Sequence, residues 1–429
     1  MIGIREAVTH CLNTVPHVVT ESVPLEQAYG RILAEDVTAT SPLPPWDNSA
    51  MDGFALRVDS TSVTPEKQSD IDVCAESVTV DDGGPHLSIT ETIAAGSVGT
   101  EVISAGLAAR IMTGAPLPLG ANAVVMREHA TATGSTVQIH TPASPGQHVR
   151  RMGEDVAAGE TVMHRGSTLT PAAVGLCAAV GRSHLTVARK PRVGLISTGD
   201  EIVPPGQPLG PGQIYSSNTH ALTGLILATG AVPVDCGIAP DSLDETRTAF
   251  TKAAECDLIV STGGVSVGDF DVVRQAMRDL GAKMQFWKVK IKPGKPLAFG
   301  VIADTPAFGL PGNPVSCQVG FLQFVRPWLR MAMGDPKPFL PVVQATLAHA
   351  VSKRAGRAEL SRVVLHHDNG DWVASLTGTQ GSGNQVSMVT ANGLLLLSED
   401  SVHLEQGACV SVQVVGQTLN AQADPGYPW

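Results

Sequence analysis

The feature that most constrains this chain begins at Pro191. From there apolar strand candidates alternate with helix candidates. VGLIST (193–198), VPVDCGI (232–238) and DLIVST (257–262) are apolar runs of strand length, and 217–229, 242–254 and 271–280 have helical spacing. QFWKVKI, LAFGVI and AFGL follow, then a helix from 314 to about 332. Strands apolar on both sides must be covered on both faces, and the intervening helices supply the cover. The pattern predicts a three-layer, doubly wound α/β unit with a parallel sheet.

Ligands of such a sheet sit beyond the C-terminal ends of its strands. Three unusual loops fall there: STGDE (197–201), STGGVSVGDFD (261–271) and LPGNPVS (310–316). Glycines let backbone N–H groups approach a ligand, and a helix N-terminus behind them favours negative charge. A tight strand-to-helix turn is the plainer use of any one loop. Three on one edge favour a ligand site, which makes Gly263, Gly264, Ser266, Gly268, Pro311, Gly312, Asn313 and Pro314 candidate binding residues. Gly264 to Gly268 also fits GxSxG, the nucleophile elbow of esterases. The strand ends near Thr262, too early for Ser266 to cap it, and acids follow Gly268. Asp269 stands where a P-loop lysine belongs, so a P-loop is excluded.

KVKIKPGKP gathers Lys288, Lys290, Lys292 and Lys295 in a chain of formal charge −11. Strand alternation puts the first three on one face, and Pro293-Gly294 turns Lys295 back toward them. Lysine runs are usually solvated; beside the third loop, an oxyanion contact is the sharper reading. Asp52, Asp155, Asp200, Glu201, Asp241, Asp269 and Asp271 balance these cations. Asp241 and Asp271 also sit where helix caps would. Gathered in one cleft with phosphates, such acids could hold Mg²⁺ through oxygen. The histidines form no HExxH, so zinc is not expected.

The rest of the chain has other textures. Prolines 42, 44 and 45 make 41–55 a loop, and 55–145 reads as short strands in a mostly β insert. Residues 146–183 carry turns and a helix near 171–181, and can return to pack on the N-terminal segment. Past 336 the pattern is all-β, with a hairpin signal at DNGDW (368–372), and 417–429 reads as a tail. With 429 residues, two to four domains are expected. The acidic balance argues against a nucleic-acid surface. Seven scattered cysteines without a CxxC argue against a disulfide framework and fit a reducing compartment. No apolar run approaches 18 residues, and the first residues lack a signal-peptide pattern, so a cytoplasmic protein is expected.

DNSAMDGFA (47–55), RIMTGAPLPLGANAVV (110–125), RRMGEDV (150–156), STGDE, GQIYSSN (212–218), STGGVSVGDFD, KIKPGKP, LPGNPVS and GTQGSGNQVSM (378–388) occur in this order. In these motifs, which run to about residue 416, the chain resembles the molybdopterin molybdenumtransferase family of bacterial MoeA and the gephyrin E domain. The resemblance implies hydrolysis of adenylylated molybdopterin with Mg²⁺, insertion of molybdate and release of AMP. It implies an elongated homodimer whose cleft uses both subunits, and possible contacts with other cofactor-biosynthesis proteins. It implies four domains: discontinuous 1–40 with 146–183, a β insert at 41–145, the α/β unit at 184–332 and a small β-barrel at 333–416. By the same resemblance, Asp52, Thr113, Asp155, Glu201, Asp241 and Asp271 match functional positions, with Glu201, Asp241 and Asp271 as metal candidates. Lys292, Lys295, Arg362 and Ser382 match positions for molybdate. Trp46, Phe270 and the pair His366-His367 depart from or add to the pattern. A non-catalytic molybdopterin-binding scaffold, a molybdopterin adenylyltransferase and a GxSxG esterase are the rival readings.

Overall fold

The computed structural model describes residues 1–59, 84–264, 272–368 and 370–416. The α/β unit uses β1 (Arg192–Thr198), α1 (Ser217–Thr229), β2 (Val232–Ala239), α2 (Leu243–Ala253), β3 (Leu258–Thr262) and α3 (Val272–Asp279). β4 (Lys283–Lys288), β5 (Pro296–Ile302), β6 (Thr305–Leu310) and α4 (Pro314–Gly320) complete it. The strand order is β2-β1-β3-β6-β5-β4. The chain leaves β1 for β2 on one side and returns to β3 on the other, so its direction reverses between β1 and β3. That reversal opens a crevice at their C-terminal ends.

Both sheet faces are apolar, as the strand runs require. Leu195, Val260, Phe299 and Phe308 pack with Leu222, Ile226, Phe324 and Trp328. Ile196, Ile259, Ala298 and Ala307 pack with Phe250, Val273 and Met277 of α2 and α3. The three layers follow. The all-parallel expectation needs correction: β5 runs antiparallel to both β6 and β4. Ile302 pairs with Thr305 across Ala303 and Asp304, both left-handed at φ 45° and 71°. A two-residue link of this type makes a hairpin; a parallel crossover needs a dozen residues or more. The helix expected from 314 to about 332 is continuous but contains a wide π turn at Phe321–Val325, just before Pro327. That turn accommodates a residue with no N–H to give the ladder.

The lysine segment also differs from expectation. β4 ends at Lys288, and Ile291–Lys292 joins a different sheet, so Lys288, Lys290 and Lys292 do not share one strand face. The break lies at Val289 and Lys290, whose N–H groups donate to Lys295 O and Ile2 O.

Ile291–Lys292 pairs with the C-terminal unit. There, strands 358–368, 371–376, 342–347, 409–414 and 393–397 close on themselves as a five-stranded barrel. Leu347, Val363, Leu365, Leu395 and Val412 fill it. His367 sits opposite Trp372, ring centroids 3.9 Å apart, which gives one of the two unexplained histidines a cross-strand packing role. The β insert forms its own sheet from strands between Gly53 and Ile139. Thr20–Pro24 pairs with His184–Ala188, and Val37–Thr38 with Thr161–Met163, which joins the early and late segments around one apolar cluster. The first helix, Ile4–Leu12, does not join that cluster. Ala7 and Cys11 pack against the α/β core, and Trp328 Nε1 donates to Thr14 Oγ1 at 3.1 Å. Among the described residues no helix is long and apolar enough to cross a membrane.

Candidate functional site

The β1/β3 crevice holds a cavity of about 800 Å³. All three strand-end loops reach it: Ser197, Thr198 and Glu201 from the first, Thr262 to Gly264 from the second, Pro311 to Pro314 from the third. The N-terminus of α1 adds Ser216, Ser217 and Asn218. Gln385, from the barrel unit, closes one side and donates to Ser217 Oγ at 3.2 Å.

The second loop needs its glycines. Gly263 and Gly264 have φ +93° and +60°. A Cβ at Gly263 would lie 2.5 Å from Thr198 O, and one at Gly264 would lie 2.4 Å from Val273 Cγ2. The chain can pass between β1 and α3 only without side chains there. Ser266, Gly268 and Asp271 lie outside the described residues, as does the rest of the GxSxG match.

Asn218 ties the loops together. Its Nδ2 donates to Thr262 Oγ1 at 2.9 Å and to Gly312 O at 2.8 Å. Thr262 Oγ1 in turn donates to Pro311 O at 3.2 Å. Thr219 Oγ1 bonds both Ser197 Oγ (2.6 Å) and Ser216 Oγ (2.8 Å). Sequence reasoning did not single out Asn218, Thr262 or Gln385. Each lies within a motif, but its individual signal was weak: polar residues at a helix start, at a strand end and at the first position of the short helix Gln385–Thr390.

The expected acids divide. Glu201 lines the cavity. Next to it, Asp200 Oδ1 accepts from the Asp241 amide at 3.0 Å, which brings the 241 loop to the same rim. Asp52, Thr113 and Asp155 line no part of this cavity. Asp52 Oδ1 accepts from Thr113 N (2.7 Å) and Thr113 Oγ1 (2.9 Å), at a small hollow of the β insert with Arg110 and Arg127. The Thr113 amide, then its hydroxyl, hold the Asp52 carboxyl below its ordinary range. Asp155 lines a separate open groove with Arg150 and Glu154.

Lys292, Lys295, Arg362 and Ser382 are not among the residues that line this cavity, and they divide by partner. Lys292 Nζ donates to both carboxylate oxygens of Glu359, at 3.2 and 3.1 Å. Lys295 is exposed and, among the described residues, pairs with no carboxylate. Arg362 is 1% exposed. Its Nε donates to Ser387 Oγ at 3.0 Å, and its Nη atoms to Gln380 O (3.3 Å) and Gly381 O (2.9 Å). Arg362 therefore pins the 379–381 loop by its carbonyls; burial lowers the guanidinium's pKa. Ser382, half-buried on that loop, accepts from Val315 N through its carbonyl at 3.1 Å. The loop is thereby anchored to α4. Among the described residues no three His, Cys, Asp or Glu side chains gather as a metal-binding group.

The fold and site define a multidomain α/β protein with an anion-suited crevice at the sheet's switch point, closed by a β-barrel. Comparison places it more narrowly. Residues 2–181 match the family described as the MoeA N-terminal region (domain I and II), 194–331 match a probable molybdopterin binding domain, and 344–415 match the MoeA C-terminal region (domain IV). The chain belongs to the molybdopterin molybdenumtransferase (MoeA) family. It is 40% identical to molybdopterin molybdenumtransferase 2 of Mycobacterium tuberculosis, over 91% of this chain and 94% of that one. It is 34% identical to the molybdopterin molybdenumtransferase of Haemophilus influenzae, over 98% and 100%. The crystal structure of the molybdopterin biosynthesis MoeA protein from Pyrococcus horikosii superposes with TM-score 0.79 at 31% identity, covering 96% and 99%.

Proposed function

We propose that this chain inserts molybdenum from molybdate into molybdopterin, taking adenylylated molybdopterin as substrate and releasing AMP. The observation that carries the reading is the convergence of three strand-end loops and the start of the helix Gln385–Thr390 on one cleft. Backbone amides of Gly264 and Gly312 suit the pyrophosphate, while the Gly263 amide is given to Leu310 O at 3.2 Å and Gly263 serves by its lack of a side chain. Ser266 and Gly268 are assigned to the same loop by sequence. Lys295 and the Ser382 hydroxyl suit a tetrahedral dianion at the seam between α4 and the barrel. Arg362 supports that seam by holding the loop of Ser382 in place.

The rim acids Glu201 and Asp241, joined by Asp271 on the ground of sequence alone, would supply oxygen-only donors, the chemistry of a hard cation. They fit Mg²⁺, which when bound would neutralise the pyrophosphate charge. The carboxylates then orient water and hold its proton. Asp52 and Asp155, which line other hollows, and Thr113, which holds Asp52, act in the cleft of a homodimer, where one subunit completes the other's site. The protein works in the cytoplasm on small molecules, with contacts to other cofactor-biosynthesis proteins but not to nucleic acid or membrane.

The test is AMP release from adenylylated molybdopterin with Mg²⁺, with and without molybdate. Molybdate-dependent release supports the transferase. No release by well-folded protein indicates a scaffold, and ATP-dependent adenylylation of free molybdopterin an adenylyltransferase.

A further inference from the structure

Of the two lysines in KPGKP, Lys292 is committed to a carboxylate, and Lys295 has none among the described residues. Lys292 lies opposite Glu359 in the parallel pairing of Ile291–Lys292 with the barrel strand Ala358–Asp368. The register holds the two side chains across the seam. Both Glu359 oxygens accept from Lys292 Nζ, and Ser361 Oγ donates to Oε1 at 3.3 Å. The Glu359 side chain is 10% exposed and that of Lys292 47%. A carboxylate so deeply placed is costly to leave unpaired, so the ammonium is held to it. Arg362, two residues beyond Ser361's neighbour Leu360, has its N–H groups on the 379–381 carbonyls and Ser387. Among the described residues, Lys295, three positions on from Lys292, is thus an exposed cation with no carboxylate partner, whereas the charge of Lys292 is already neutralised by Glu359.

We propose that Glu359 is the counter-charge that limits oxyanion affinity at this seam. It repels a dianion directly and competes with it for Lys292. The seam then holds its oxyanion loosely enough to be surrendered to a second substrate, and does not become a trap for tetrahedral dianions in general, sulfate included. The proposal rests on the reading of Lys295 and Ser382 as the oxyanion corner.

Equilibrium dialysis of molybdate against the full chain tests it, with thermal melting alongside. Glu359→Gln keeps the shape and a partner for Ser361. It is expected to tighten molybdate binding about tenfold, the order given by removing one charge near a dianion in a half-solvated site. Damage to the fold would not produce tighter binding. Unchanged or weaker binding by folded Glu359→Gln overturns the proposal. A double-mutant cycle gives a second route. Lys292→Met alone leaves the carboxylate bare and should weaken binding, and adding Glu359→Gln should restore most of it. A double variant no better than Lys292→Met also overturns the proposal. Lys295→Ala separates the two claims. If it weakens molybdate binding while Glu359→Gln does not tighten it, only the role of Glu359 falls. If Lys295→Ala changes nothing, the corner itself is wrongly assigned and both fall.

Discussion

Single residues decide whether the three loops act as one site. Asn218 does so through one amide nitrogen shared by Thr262 and Gly312. Asn218→Asp would set an acceptor against the Gly312 carbonyl. Binding of adenylylated molybdopterin should weaken by at least about tenfold, since a lost bond and a new repulsion each cost about 1 kcal/mol or more; fluorescence titration would read it, and unchanged affinity would refute the tie. Arg362→Met would strand the carbonyls of Gln380 and Gly381. A loss of about 3 kcal/mol in urea unfolding is expected, because buried unpaired polar groups cost 1–3 kcal/mol each. Lysine should not rescue it, having no planar fork to span that loop. The sequence showed Arg362 as a cation, but not that its N–H groups are already engaged. That depends on where the 379–381 loop folds, a long-range fact with no local signature.

At the scale of elements, much was legible. β1, β2, β3 and their helices follow from apolar runs and helical spacing, because a strand buried on both faces leaves few other patterns. The antiparallel β5 was hidden, since AFG and LAFGVI look equally apolar in either direction; only the two-residue Ala303-Asp304 link decides it. The glycine loop was legible in kind, and its geometry sharpens the expectation. Gly264→Ala should abolish substrate binding or lower the unfolding midpoint, because its Cβ would meet Val273 and its φ is +60°. Wild-type binding and stability together would contradict the tight passage.

The entry to the α/β unit carries a pH-dependent tie. Arg189 donates to Asp257 at 3.0 and 2.6 Å, and the Arg192 amide donates at 2.7 Å. Burial pushes the Asp257 carboxyl up, but these donors more than offset it and hold it below its ordinary value. A depressed pKa gives stability that is present above the ordinary carboxylate range and lost as pH falls through the folded value. Arg189→Met should therefore lower Tm by about 2–4 °C near neutrality, and the difference from wild type should shrink below about pH 4. A difference independent of pH would count against the tie.

At the scale of the whole molecule, the cleft is a seam. The α/β unit alone supplies the crevice, as strand-end logic required. The barrel supplies Gln385, the Ser382 loop and the Glu359 that holds Lys292. The N-terminal helix also packs on this unit, so the chain's two ends brace its centre. Sequence reasoning reached the loops because glycine and proline mark them locally. It did not reach the seam, which joins residues about 70 positions apart through a two-residue strand pairing. The most direct test is a crystal structure of the protein with AMP and molybdate bound. The nucleotide phosphate is expected against Gly263 and Gly312, and the oxyanion within hydrogen-bond reach of Lys295 and Ser382. A nucleotide or oxyanion ordered elsewhere, with this cleft empty at saturating ligand, would contradict it.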